Sequence, residues 1–290
     1  INNRVINNKA WNAGGGVYVA QSSPVISGCI ITNNSALQRW GGGLHLAYSN
    51  ARLINNTVSN NNAPEGGGID LTNEANPEIT NCIVYGNSPE QVNLRMNNCD
   101  PDIYYSDIEG GIAGFAGGTT YTETYLNNIS TDPEFSVPSS GTGYQADALE
   151  ADWSLGATSA CIDAGKPDTS GLMLMDKDVN GNTRIVNGIV DMGGLEASVA
   201  PAMDTIWSDM VWDADTIKVV NDVVVADGAT LTVVPGVYVE FMDHYALNIQ
   251  GSIQAGGNSS VTITFSPEDT ITGWKGIRFD STAAVNDSSY

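Results

Sequence analysis

The chain has 290 residues, enough for one large domain or two ordinary ones with a sizeable buried core. Charged side chains make up only 15%, and 33 acidic against 11 basic residues leave a formal net charge of -22. That balance argues strongly against nucleic-acid binding, because a polyphosphate needs Lys and Arg to displace its counterions, and it disfavours an anionic membrane surface. No run of 18 apolar residues exists to insert into a bilayer. The chain opens Ile1-Asn2-Asn3-Arg4, with neither an initiator Met nor a signal peptide's apolar stretch, and is expected to be an excised fragment. Four cysteines, Cys29, Cys82, Cys99 and Cys161, form no Cys-x-x-Cys pair, so no zinc site is expected. The 32 glycines exceed the usual share, and together with 41% apolar residues they point to a folded, turn-rich, all-β chain.

Residues 1–99 repeat. Gly-Gly-Gly triplets begin at Gly14, Gly41 and Gly66, spaced 27 and 25 apart. Upstream of them lie apolar anchors in Asn-rich surroundings, with Val5, Ile30, Val58 and Ile83 taken as one register. Downstream, residues alternate as Val17-Tyr18-Val19, Leu44-His45-Leu46 and Ile69-Asp70-Leu71, a period of two that predicts short strands. Such a repeat resembles one coil of a right-handed parallel β-helix, the pectate-lyase-like superfold, with coils stacked about 4.8 Å apart. Asn8, Asn33, Asn61 and the neighbourhood of Asn87 are expected to form a ladder at one turn, and the glycine triplets to mark another. Cys29 and Cys82 share a register two coils apart, too far for a disulfide, and are expected to be buried small apolar residues. Pairing of Cys99 with Cys161 is left open.

The repeat fades after Cys99. Residues 100–200 carry Tyr105-Ser106-Asp107-Ile108-Glu109-Gly110-Gly111, Asp132-Pro133-Glu134-Phe135, Ser159-Ala160-Cys161-Ile162-Asp163-Ala164-Gly165, Asp178-Val179-Asn180-Gly181-Asn182-Thr183-Arg184 and Asp191-Met192-Gly193-Gly194-Leu195-Glu196. These phrases resemble, in order, the choice-of-anchor Q type module of bacterial surface β-helix proteins; Ala160 and Leu195 stand where that family has Pro and an aromatic. The resemblance implies a secreted or cell-surface bacterial protein and an irregular β-rich capping module, but no reaction. Ala200-Pro201-Ala202 reads as a linker. Beyond it, residues 201–290 alternate again, as in Val237-x-Val239-x-Phe241 and Leu247-x-Ile249, and are expected to begin a second parallel β-helix.

Candidate chemistry is sparse. A uronate-cleaving groove requires a basic stripe, yet Arg4, Lys9, Arg39, Arg52 and Arg95 all fall at different offsets from the anchors, and no polygalacturonase-like aspartate pair is found. Tyr18, His45 and Asp70 each lie four residues after the first glycine of their triplet, which places them in one outward column. A His45–Asp70 contact would orient an imidazole for acid-base work; the alternative is an ordinary solvated strand face. Trp11 and Trp40 flank the column, and both sugar stacking and plugging of a coil corner stay open for them. Asp176-x-Asp178-x-Asn180-Gly181 has the first half of a calcium loop, but Asn187 stands where the loop's bidentate Glu belongs, so an Asp/Asn turn with Arg184 paired to Asp191 or Glu196 is the competing reading. The expected function is a non-catalytic building block of a bacterial adhesin, matrix or filament protein, partnered by neighbouring β-helix coils of the same longer chain or of other copies. A polysaccharide lyase or hydrolase and a glycan-binding module are the rivals.

Overall fold

A computed structural model of the chain describes residues 1–280 apart from 97, 119, 157, 187, 198, 202–204, 215 and 258–260. Asn187 and Ala202, which figured in the calcium-loop and linker readings, lie outside the described residues. The chain forms two compact units, Ile1–Ala197 and Ser198–Tyr290, and the described residues contain no α-helix.

The first unit winds five coils through three parallel sheets. The first sheet stacks Arg4–Ile6, Ile30–Thr32, Thr57–Ser59, Ile83–Tyr85 and Asp107–Ile108. The second stacks Val17–Ala20, Leu44–Ala47, Ile69–Thr72, Val92–Met96 and Ala116–Gly117. The third stacks Val25–Ser27, Arg52–Ile54, Glu78–Thr80, Asp102–Tyr104 and Tyr125–Leu126. Strands therefore continue past Cys99, where the sequence repeat fades, into a fifth coil that carries no glycine triplet to mark it. At the last coil Phe115, Tyr121 and Tyr125 pack edge to face, with centroids 5.4, 6.2 and 6.3 Å apart, and close over the apolar core.

The core follows from alternation: Leu44 and Leu46, Ile69 and Leu71, Val92 and Leu94 all point inward from the second sheet. In the first sheet the inward set is Val5, Ile31, Val58, Val84 and Ile108. This corrects the anchor register: Ile30 and Ile83 are paired one place out of step and face away from the core. A slip of one residue changes face. With the register corrected, the ladder of turn asparagines is Asn8, Asn34, Asn61 and Asn87, each three residues after its inward anchor, and not Asn33. Each amide donates to the next at 2.9, 3.0 and 2.9 Å, and Asn87 continues to Gln91 at 2.7 Å. Asn33 instead holds a left-handed turn, φ 54°, in line with Asn7, Asn60 and Gly86. At the glycine triplets the backbone of the next coil leaves no room: a Cβ on Gly42 would sit 2.5 Å from the Asn62 carbonyl oxygen. All four cysteines are free and buried, which settles the open pairing of Cys99 with Cys161.

The described residues of 132–197 contain one antiparallel strand pair, Phe135–Val137 with Asp152–Leu155, and the isolated antiparallel bridges Lys177–Thr183 and Val186–Ile189, and otherwise run as turns along the outer face of the first sheet. The segment thus lies lengthwise on the coils of its unit, where a cap over their end was expected. Ile30 packs against Ala148, Trp153 and Leu195, and Ile83 against Leu155, Cys161 and Met192. Gly193 and Gly194 allow the close approach, since a Cβ on Gly194 would meet the Ile30 Cδ1 at 2.6 Å. The phrases that resemble the anchor module are largely the ones that make these contacts.

The second unit is another parallel stack, with sheets built on Thr216–Val219, Tyr238–Phe241 and Thr264–Pro267; on Val223–Val225, Ala246–Ile249 and Gly276–Phe279; and on Met210–Trp212, Thr230–Val233 and Ser252–Ala255. Its core includes Trp212, Ile217, Val223, Leu231, Val239, Phe241 and Leu247. Val199–Pro201 is a strand paired with Thr216–Lys218, so part of the expected linker already belongs to the first coil of this unit.

Candidate functional site

The second sheet of the first unit pairs Tyr18 with His45, His45 with Asp70 and Asp70 with Asn93, so the column expected from the glycine triplets is present and gains a fourth member. Inward Leu44 and Leu46, Ile69 and Leu71 force the residues between them outward. The column is nevertheless no solvated face, for His45 is 3% exposed and Asp70 fully buried, whereas Tyr18 is 57% exposed.

Asp70 organises the site. Its Oδ2 lies 2.7 Å from the Nδ1 of His45, its Oδ1 accepts from the Asn93 amide at 2.9 Å, and the Arg95 Nε stands 3.4 Å from both oxygens. A carboxylate removed from water needs such partners, and here three surround it. The His45 ring is stacked under Tyr18 at 4.9 Å with planes 3° apart, and Trp40 lies 6.0 Å away at 19°. Arg95 covers the Trp40 ring at 3.6 Å and Arg39 approaches it at 4.9 Å. Two arginines that fall at different offsets in the sequence therefore meet on one indole, which corrects the reading that the basic residues of the coils stay scattered. Trp40 is half-buried in this stack, and Trp11 stands 71% exposed on the neighbouring turn. Sequence reasoning missed Asn93 and Arg95 because the fourth coil lacks a glycine triplet; the alternation Val92-x-Leu94 was the available signal.

An imidazole held at Nδ1 by a carboxylate has the orientation for proton transfer, but a general base must also reach the proton it takes. Tyr18, Trp40 and the carboxylate enclose His45 and leave it 3% exposed. The arrangement serves better as an interlock between coils.

The calcium-loop residues are placed differently. Asp178 is buried and its Oδ1 accepts from the backbone N–H groups of Asn180 and Asn182, while its Oδ2 accepts from Glu196 N and the Asn182 amide. The Asn180 side-chain oxygen Oδ1 accepts from the Arg4 guanidinium, and Asp176 is exposed. These donors do not fit a cation, whose ligands would have to be withdrawn from four N–H groups. Nor do the described residues bring three metal-ligating His, Cys, Asp or Glu side chains together elsewhere. The turn instead borders a sealed cluster in which Arg184 stands 4.0 Å from Glu196 and donates to the Gly193 carbonyl at 3.0 Å. Burial, with Asp191 adding its charge, pushes the Glu196 carboxyl up to about 10; burial likewise lifts Asp191 to about 7. Asp107, buried under the same segment and 3.4 Å from the Cys161 thiol, rises to about 6, mainly through burial.

Residues 1–143 match the family described as Right handed beta helix region. With the stacked coils, that match makes the first unit a right-handed parallel β-helix. Comparison with curated proteins and with solved structures returned no significant match. No helix among the described residues is long and apolar enough to cross a membrane.

Proposed function

We propose that this chain is a non-catalytic segment of a secreted or cell-surface bacterial β-helix protein, a building block of an adhesin, matrix or filament whose partners are further coils of the same chain or of other copies. The observation that carries this reading is the enclosure of His45 and Asp70: the carboxylate is spent on residues of its own coils and the imidazole is shielded from a substrate. The resemblance of residues 100–200 to an anchor-type module supports the location. Incubation with pectin, alginate and neutral glycans, followed by assay for new reducing ends and unsaturated products, is expected to give no turnover. Turnover that His45→Ala abolishes would overturn the reading.

Exposed Trp11 and Tyr18 favour a second reading, glycan binding without turnover, because uncovered aromatic faces beside polar groups suit stacking on sugar rings. Glycan-array binding that is lost in Trp11→Ala and Tyr18→Ala would establish it, and binding unchanged by both would dismiss it.

A further inference from the structure

A solenoid coil ordinarily touches only its neighbours, so a stack frays from its ends coil by coil. Residues 132–197 change that connectivity. Their grip begins at left-handed turn positions whose conformation glycine supplies equally well, as Gly28 and Gly86 do in the same two rows. Where asparagine stands instead, its amide reaches the segment. In the first coil Asn7 donates to Asp147 at 2.5 Å, and in the second Asn33 donates to the Ala146 carbonyl at 2.7 Å. In the third, Asn60 donates to the Ser139 carbonyl at 3.1 Å and Asn55 to that of Asp191 at 2.7 Å. The fourth coil takes part through Asn81, whose carbonyl oxygen accepts from Gly193 N at 2.7 Å, and the fifth through Asp107 against Cys161. One continuous segment is thus tied to all five coils, including coils that do not touch each other.

We infer that residues 132–197 are a longitudinal strap that makes the five coils open as one body, so that a chain pulled or frayed at either end loads every coil together. The asparagines of the two turn rows are its positioning residues. The inference goes beyond the building-block reading and concerns the coil stack itself, so it holds or fails whether or not the chain carries a ligand or an activity.

The test is native-state hydrogen exchange on the full chain, comparing strand amides in Val17–Ala20 of the first coil, Ile69–Thr72 of the third and Asp102–Tyr104 near the end of the fourth. In the unaltered protein the three sets are expected to exchange at one common rate. In Asn7→Gly/Asn33→Gly, which keeps the positive φ and removes the asparagine grip on the first two coils, the Val17–Ala20 set should exchange about a hundredfold faster than the middle set, as expected for losing a few hydrogen bonds. Rates that already fan out in the unaltered protein, or that rise by one common factor in the variant, would overturn the strap. Should the variant fail to fold, the unaltered profile decides alone.

Discussion

Two outward columns of the same coils meet opposite conditions. On the second sheet, Tyr18, His45, Asp70 and Asn93 stand under their own coils' side chains, and the Asp70 carboxylate is matched by His45, Asn93 and Arg95. On the first sheet, Ile30, Thr57, Ile83 and Asp107 occupy the equivalent place, and a separate segment covers them. The apolar residues of that second column would be a liability in water and become core only because the strap is there. Outward residues in a solenoid therefore report what lies over them.

The sharpest way to break this comparison is to remove a charge from the self-covered column. Asp70→Ala leaves His45 and Arg95 without their shared carboxylate and is expected to lower stability to urea by about 3–5 kcal/mol. A loss under about 1 kcal/mol would show that solvent already reaches the pair. On the strap-covered column, Ile83→Ala empties a contact with Leu155, Cys161 and Met192 and should cost about 2–4 kcal/mol, with faster proteolytic cleavage inside residues 132–197. Cleavage that appears elsewhere first would contradict the assignment of Ile83 to the strap.

The two columns also differ in what pH does to them. Asp191 and Glu196 are buried under the strap with pKa values raised to about 7 and about 10, so their neutral forms are the ones the folded state favours. Their contribution is fully present below about pH 4, where both would be protonated in the unfolded chain, and is lost as pH rises through about 7 and then toward about 10. Asp107 acts in the same direction up to about 6. The urea midpoint of the first unit should fall across that window, and a midpoint that climbs steadily from acid to alkali would contradict the burial of these carboxyls. The smallest expected effect is at Asp176, Asp178 and Asn180. Thermal shifts in CaCl₂ and MgCl₂ of equal ionic strength should match, because Asp178 is already saturated by N–H donors and a protein of net charge -22 gains from either ion by screening. A calcium-specific shift lost in Asp178→Ala would reinstate the site.

Much of this was legible in the residues. The glycine triplets and the period of two were enough to set the second sheet and to align Tyr18, His45 and Asp70, because inward leucines and isoleucines alternate cleanly there. The first sheet was harder. Ile30-Ile31 and Ile83-Val84 are consecutive apolar pairs, and only a strand buried on both faces tolerates them, so the register slipped by one and carried the asparagine ladder with it. Arg39 and Arg95 could not be brought together by offsets from the first-sheet anchors, since turns of unequal length stand between those anchors and the two arginines. Burial of His45 and Asp70 was also invisible, because an alternating polar residue looks the same whether water or a stacked tryptophan lies over it.

The central claim, that His45 and Asp70 interlock coils and do not await a substrate, is tested most directly by a double-mutant cycle on folding stability. His45→Gln, Asp70→Asn and the double variant, unfolded in urea, should reveal a coupling of about 1–3 kcal/mol between the two side chains. Additive effects of the single changes, with no coupling, would contradict the claim and return the pair to the list of candidate catalytic groups.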